Sequence, residues 1–342
     1  MIKRISIEQY FQQYSNTVLL DTRTPAEFAK GHIPNAHNLP LFSNEERVKV
    51  GTTYKQESRE AAILLGFDLV GNKWRGFIET ALALSPNKKI AIHCWRGGMR
   101  SGVMAWALDL YGFEVLVIEG GYKAYRNWVL QQFLKPYKLL VLSGKTGSHK
   151  TEILNALENL GEQIVDLEKL AQHQGSAYGS MNKLIQPTQE QFENNFAEEL
   201  SHLNLNKTIW VEDESITIGK IVIPYSFWQQ KILANHIEIK IPREQRIAFL
   251  VEEYGNLDKQ FLIGATMHIQ KRLGPEQTKN ALQFLEQNDL SNFIKTILTY
   301  YDKTYNYCIS KKTKVKILSM ETNYDNAINC AENLLQVSKT IS

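Results

Sequence analysis

Cys94 is the residue best placed to do chemistry in this 342-residue sequence. It stands in "HCWRGGMRSG", residues 93–102, where the apolar run "KKIAIHC" ends. An apolar stretch at helical spacing follows: Val103, Met104, Trp106, Ala107 and Leu110. A cysteine between a strand and a helix lies where backbone N–H groups converge and the helix N-terminus favours negative charge. Gly97 and Gly98 let the backbone from Trp95 through Met99 to Ser101 curl around one centre, and Arg96 and Arg100 add positive charge. That field favours a thiolate, an oxyanion or a persulfide-type anion. The plain alternative is a small, buried, inert residue at a strand end. Two glycines and two arginines around the thiol favour the reactive reading. His93 precedes Cys94, so its side chain faces the other side of the strand and reads as packing rather than as a general base.

A second loop, "GKTGSHKT" (144–151), follows the apolar "YKLLVLS" and leads into a helical stretch. Gly144, Lys150 and Thr151 fit the phosphate-binding pattern G-x-x-x-x-G-K-[ST], with Lys145, Thr146, Gly147 and Ser148 between them. His149 stands where the second glycine is expected. Backbone N–H groups, the helix N-terminus and Lys150 can still hold phosphate oxygens. If the position needs a positive φ, a non-glycine residue costs about 1 kcal/mol or more. A diphosphate is therefore expected in preference to the tight triphosphate and magnesium geometry of an NTPase. The strand "TIWVED" ends in Glu212 and Asp213, in the manner of an acidic pair that positions a metal or a water. A third feature is "KTILTYYDKTYNYCISKKTKVK" (295–316). It mixes four tyrosines with Lys295, Lys303, Lys311, Lys312, Lys314 and Lys316 against a single aspartate. Basic residues among aromatics suit a nucleic-acid backbone and its bases, whereas the bland reading is a solvated helix and a lysine-rich turn.

These loops need strands to carry them. "VLLDTR" (18–23), "KKIAIHC" (88–94) and "EVLVIEGG" (114–121) read as strands separated by helical segments. In "TPAEFAKG", Thr24 can cap a helix, Pro25 fits its first position and Gly31 can end it. Pro136 precedes a new series: "YKLLVLSG", "EQIVDL" (162–167), "KTIWVED" (207–213), "HIEIKIP" (236–242) and a last strand at "KVKIL" (314–318). Helical signal dominates from Arg243 to about Tyr307. The fold class expected is α/β, two mainly parallel sheets covered by helices, with a boundary near residues 130–137. Ligands in such sheets bind outside the carboxyl ends of the strands, where both glycine-bearing loops fall.

Composition narrows the class. The net charge is +3, with 17 basic and 12 acidic residues in 1–136 and 22 against 24 in the remainder. No apolar run approaches the roughly 18 residues of a membrane span. "MIKRISIEQYFQQYS" has no apolar core of a secretory signal. Cys94, Cys308 and Cys330 are far apart and lack CxxC spacing, so neither a disulfide framework nor a structural zinc site is expected, and the natural setting is a reducing cytoplasm.

"DTRTPAEFAKGHIPNAHNLP" (21–40) followed by "HCWRGGMRS" resembles a rhodanese domain, matching at Asp21, Arg23, Gly31 to Pro34 and the Cys94 loop. Asn35 departs from a position that is often glycine. The five residues between Cys94 and Arg100 match the spacing of cysteine phosphatases, where sulfurtransferases commonly have four. A rhodanese-like domain (1–133) joined to a P-loop-like domain with a helical C-terminal part (137–342) resembles the tRNA 2-selenouridine synthase family. So do "LPLFSNEERVKVGTTYKQESREAAILLG", "DLEKLAQHQGSAYG", "QPTQEQFEN", "VEDESITIG", "EEYG", "KRLG" and "YYDKTYNY".

The resemblance implies a transferase acting on 2-thiouridine at the wobble position of tRNA. Sulfur is first alkylated from geranyl diphosphate, and selenium from selenophosphate then replaces the S-geranyl group. Cys94 would carry selenium, with residues 95–101 binding the selenophosphate oxyanion and residues 144–151 the diphosphate. No tightly bound cofactor is implied, a role for magnesium stays open, and a selenophosphate-supplying enzyme is an expected partner. Three other readings stand beside it: a cysteine phosphatase, a P-loop NTPase or kinase with an attached sulfur carrier, and a non-catalytic tRNA-binding protein.

Overall fold

In the computed structural model, which describes residues 1–175, 178 and 184–341, the alternating runs become two parallel five-stranded sheets. The chain forms two units, Met1–Gln132 with Glu193–Glu198, and Phe133–Phe192 with Glu199–Ser342.

The first unit holds β1 (Ile2–Ile5), β2 (Val18–Asp21), β3 (His37–Asn38), β4 (Lys89–His93) and β5 (Glu114–Ile118), in the order β1-β5-β4-β2-β3. Ile90, Ala91 and Ile92 of β4 are fully buried, as a central strand covered on both faces requires. One face packs Leu20, Ile92, Val115 and Val117 against Phe77, Met104 and Leu108 from the flanking helices. The register sets Asp21 beside His93 and Ile92 beside Val117, so the carboxyl ends of β2, β4 and β5 lie together. Strand β1 carries little apolar signal because it is an edge strand with three of its four residues exposed. Asn35, at the position often held by glycine, adopts φ 62°, a left-handed conformation that asparagine tolerates better than most residues.

The second unit contains β6 (Leu139–Gly144), β7 (Gln163–Val165), β8 (Ile209–Glu212), the short antiparallel pair β9 (Thr217–Ile218) and β10 (Ile221–Val222), then β11 (Asn235–Lys240) and β12 (Ile317–Glu321). Its main sheet runs β12-β11-β6-β8-β7. The last strand begins three residues beyond Lys314, where the sequence placed it. Lys312, Lys314 and Lys316 thus lie in the connection before it or at its very edge. Strand β6 lies between β11 and β8, with Gly144 beside Ile239 and Leu142 beside Glu212. Helices Lys150–Asn159 and Ala327–Ser338 bury Leu154, Leu157 and Leu334 against Leu142, Trp210 and Ile237. Between β11 and β12 four longer helices, Arg243–Gly255, Lys259–His268, Pro275–Glu286 and Leu290–Ser310, enclose a separate core around Leu250, Leu262, Phe293 and Ile297.

Candidate active site

Cys94 follows β4, and the helix Met99–Leu110 starts after a short turn. The turn is shaped by backbone packed too tightly for side chains. A Cβ on Gly121 would stand 2.2 Å from the Cys94 carbonyl oxygen, and one on Gly97 would stand 2.6 Å from the Ile118 carbonyl oxygen. Both glycines have positive φ. Cys94 Sγ accepts hydrogen bonds from the Gly98 N–H and the Ser101 hydroxyl, each at 3.3 Å. Burial pushes the thiol pKa up, but the Ser101 side chain, the Ser101 and Arg96 backbone and the Arg100 charge outweigh it and hold the pKa below its usual value.

Arg100 sends both guanidinium nitrogens to Glu27, at 2.6 and 3.1 Å. Its charge reaches the thiolate while its fork is engaged, so in this geometry it is not the direct oxyanion ligand that the sequence suggested. Glu27 also completes the capping box with Thr24, which fixes it at the head of the helix Pro25–Lys30. Arg96, Trp95, Gly98 and Met99 are exposed at the mouth of the loop, whereas Ser101 is buried beneath it.

Beneath the loop, buried Arg23 grips Asp21 through Nε and Nη2, donates to the Gly31 carbonyl at 2.8 Å and lies 3.6 Å over the Tyr122 ring. His93 Nε2 is 3.8 Å from Asp21, and burial lowers the His93 pKa. A fully buried imidazole behind the cysteine strand serves packing and charge balance.

The second loop wraps the end of β6. Lys150 Nζ donates to the Gly144 carbonyl at 3.3 Å, and Ser148 turns inward to donate to the Lys145 carbonyl at 2.6 Å. Gly147 has φ 79° and His149 has φ 56°, so the histidine does occupy the left-handed region. Its ring stacks on Tyr324 at 3.7 Å with 3° between planes, and lies 3.8 Å from the Phe249 ring. Ring contacts worth about 0.5–1.5 kcal/mol per pair offset a backbone cost of about the same size. Arg246, almost fully buried, donates to the Thr146 carbonyl at 3.0 Å and pairs with both oxygens of Asp302. This brace joins the phosphate loop to the helix Leu290–Ser310 and was not singled out in the sequence. Its nearest signal was the "YYDKTYNY" run that contains Asp302.

The acidic pair at the end of β8 behaves differently from the expectation. Glu212 Oε1 accepts from the Glu168 N–H at 2.7 Å, and burial together with neighbouring carboxylates keeps its pKa well above the usual range. Asp213 lies 2.5 Å from Lys312 Nζ, 3.6 Å from Lys231 Nζ and 3.9 Å from His236 Nδ1. Burial would raise its pKa, but the charges of Lys231, Lys312 and His236 prevail and lower it. Phosphate loops of this kind commonly carry magnesium. A carboxylate claimed by two lysines does not fit that ion, and among the described residues no group of three or more His, Cys, Asp or Glu is arranged to hold a metal. Lys312 is therefore an internal ion-pair partner, which corrects its reading as a tRNA contact. Lys295, Lys303, Lys311, Lys314 and Lys316 remain exposed, with Lys311 over the Tyr307 ring and Lys316 donating to the Thr340 carbonyl.

With both loops described, the comparisons decide the family. The family "tRNA 2-selenouridine synthase AAA domain" matches residues 137–336, and "Rhodanese-like domain" matches residues 7–127. A protein named tRNA 2-selenouridine synthase from Shewanella frigidimarina is 37% identical over 87% of this chain and 90% of its own length. This chain belongs to the tRNA 2-selenouridine synthase family. The relative of that name from Shewanella denitrificans is 36% identical over 86% of this chain and 89% of its own. The one from Nitrosomonas europaea is 37% identical over 70% of this chain, a match spanning 64% of that relative's length. Among the described residues no helix is long and apolar enough to cross a membrane.

Proposed function

We propose that this chain is a transferase that converts 2-thiouridine at the tRNA wobble position to 2-selenouridine, in two steps using two loops. In the first step the thiocarbonyl sulfur attacks C1 of geranyl diphosphate, and the diphosphate leaves. Lys150, Thr151 and the backbone of residues 144–149 would hold that diphosphate. In the second step a selenium nucleophile displaces the geranyl thiol. Arg96 and the loop amides of residues 95–101 hold the selenophosphate oxyanion, its phosphoryl group passes to the Cys94 thiolate as the P–Se bond breaks, and the selenide released is that nucleophile. Alkylation supplies the leaving group that a bare thiocarbonyl lacks.

One observation carries this reading: the Cys94 sulfur accepts hydrogen bonds from the Gly98 N–H and the Ser101 hydroxyl, in a chain whose second unit bears a lysine-containing loop at a helix N-terminus. The relatives named tRNA 2-selenouridine synthase support the overall conversion. No tightly bound cofactor enters, and no step is assigned to magnesium. The exposed lysines of 295–316 would hold tRNA phosphates. The expected partners are tRNA and an enzyme that supplies selenophosphate, and the setting is a reducing cytoplasm. The test is nucleoside mass analysis of 2-thiouridine tRNA incubated with each donor separately. S-geranyl-2-thiouridine should form from geranyl diphosphate alone, and 2-selenouridine only when selenophosphate is also present. ATP hydrolysis in fixed ratio to product would favour an NTPase instead.

A further inference from the structure

A loop that holds an anion with its N–H groups must turn its carbonyls the other way, because the N–H and C=O of one trans peptide point in opposite directions. Those outward carbonyls then need donors of their own. Three successive carbonyls of the phosphate loop have them. Lys150 Nζ donates to the Gly144 carbonyl at 3.3 Å, and the Ser148 N–H and hydroxyl donate to that of Lys145 at 3.1 and 2.6 Å. Arg246 Nη1 donates to that of Thr146 at 3.0 Å. The first two donors belong to the loop itself. Arg246 comes from the helix Arg243–Gly255, 100 residues further along the chain.

That helix backs the loop closely. A Cβ on Gly147 would stand 3.0 Å from Leu250 Cδ1 and 3.1 Å from the Arg246 carbonyl oxygen. The Arg246 side chain is held in turn by Asp302 on the helix Leu290–Ser310. Nη1 meets Asp302 Oδ1 at 2.9 Å and Nη2 meets Oδ2 at 2.7 Å, the two-pronged geometry that fixes the plane of a guanidinium. With the plane fixed, Nη1 stays aimed at Thr146. A second tie, from Arg243 Nη2 to the Lys295 carbonyl at 3.1 Å, joins the same two helices.

We propose that Arg246 and Asp302 are positioning residues for the donor diphosphate. Arg246 fixes the peptide between Thr146 and Gly147, so that the Gly147 N–H faces the phosphate oxygens, and Asp302 acts through Arg246. This rests on the reading of residues 144–151 as the diphosphate site. Neither residue touches the donor or the reacting atoms. Without the brace the peptide is free to turn, and ordering it opposes binding. Once the donor is bound the loop has regained its geometry, so the loss falls on KM for geranyl diphosphate while kcat is kept.

The test compares the unaltered protein with Arg246→Met, Arg246→Lys, Asp302→Asn and the double variant Arg246→Met with Asp302→Asn. Calorimetric titration with inorganic diphosphate, KM and kcat for geranylation of 2-thiouridine tRNA, and a thermal melt are measured for each. Arg246→Met should weaken diphosphate binding and raise KM by roughly 10- to 100-fold, the worth of one hydrogen bond from a charged donor, with kcat nearly unchanged. Arg246→Lys keeps a cationic donor and should recover part of the loss. Asp302→Asn should weaken binding alone but add nothing to Arg246→Met. Unchanged diphosphate affinity in folded Arg246→Met would overturn the proposal, and additive losses in the double variant would overturn the action of Asp302 through Arg246. Losses that merely follow the melting temperature across the variants would also overturn it, by assigning the pair to stability. Absence of geranylation by the unaltered protein, with the diphosphate losses as expected, would contradict the two-step reading and leave the positioning role supported.

Discussion

At the residue scale the chemistry turns on a thiol that is buried and yet acidic. Burial alone would make Cys94 inert; two hydrogen-bond donors and the Arg100 charge reverse the sign. Ser101 is the donor that a substitution can remove cleanly. In Ser101→Ala the thiol pKa should move up toward its ordinary value, because the thiolate loses a donor and keeps its burial. The rate of alkylation by iodoacetamide against pH reads this directly, its midpoint shifting to higher pH than in the unaltered protein. An unmoved midpoint would assign the acidity to the backbone N–H groups and the Arg100 charge. The candidate loop was legible in the sequence because its residues are contiguous. The engagement of Arg100 was not, because Glu27 lies 73 residues away in a different helix.

At the element scale, fold class could be read because strands buried on both faces are apolar runs and the loops that follow them carry glycine. Strand β1, with three of its four residues exposed and two of them charged, gave little such signal. Pairings between distant elements were equally hidden. Arg246 meets Asp302 across 56 residues and Lys312 meets Asp213 across 99, and no local pattern marks which lysine of a basic run turns inward. This changes which variants probe tRNA. Lys303→Ala, Lys311→Ala and Lys314→Ala should each weaken binding and lower the slope of log affinity against log salt by roughly one. Lys312→Ala should instead destabilise the protein, since it strips a cation from a buried carboxylate. Filter binding across a salt series, beside a thermal melt of each variant, separates the two behaviours. Unchanged slopes in the first three would return the helix Leu290–Ser310 and the turn after it to a purely structural role.

At the scale of the whole molecule, buried carboxyls in the second unit leave a signature in the pH dependence of stability. Burial raises Glu168 to about 8, and Glu199 and Glu253 to about 7, from an ordinary carboxyl near 4.5. A raised carboxyl pKa means the folded state binds more protons than the unfolded chain between those values, so stability falls as pH rises through that window. His236, pushed down by burial to about 4, works in the opposite sense, but only below 6.5. The thiol of Cys94 also opposes the trend, and Cys94→Ser removes it. Urea unfolding of Cys94→Ser should therefore give greater stability at pH 7 than at pH 8. Equal or reversed stabilities would mean these carboxyls are not held neutral.

The two-loop division of labour is the central claim, and one product analysis tests it most directly. Cys94→Ser should be supplied with 2-thiouridine tRNA, geranyl diphosphate and selenophosphate together, and the nucleosides identified by mass. With the thiolate gone and the phosphate loop intact, S-geranyl-2-thiouridine should accumulate and 2-selenouridine should be missing. Full 2-selenouridine formation by Cys94→Ser would contradict the account.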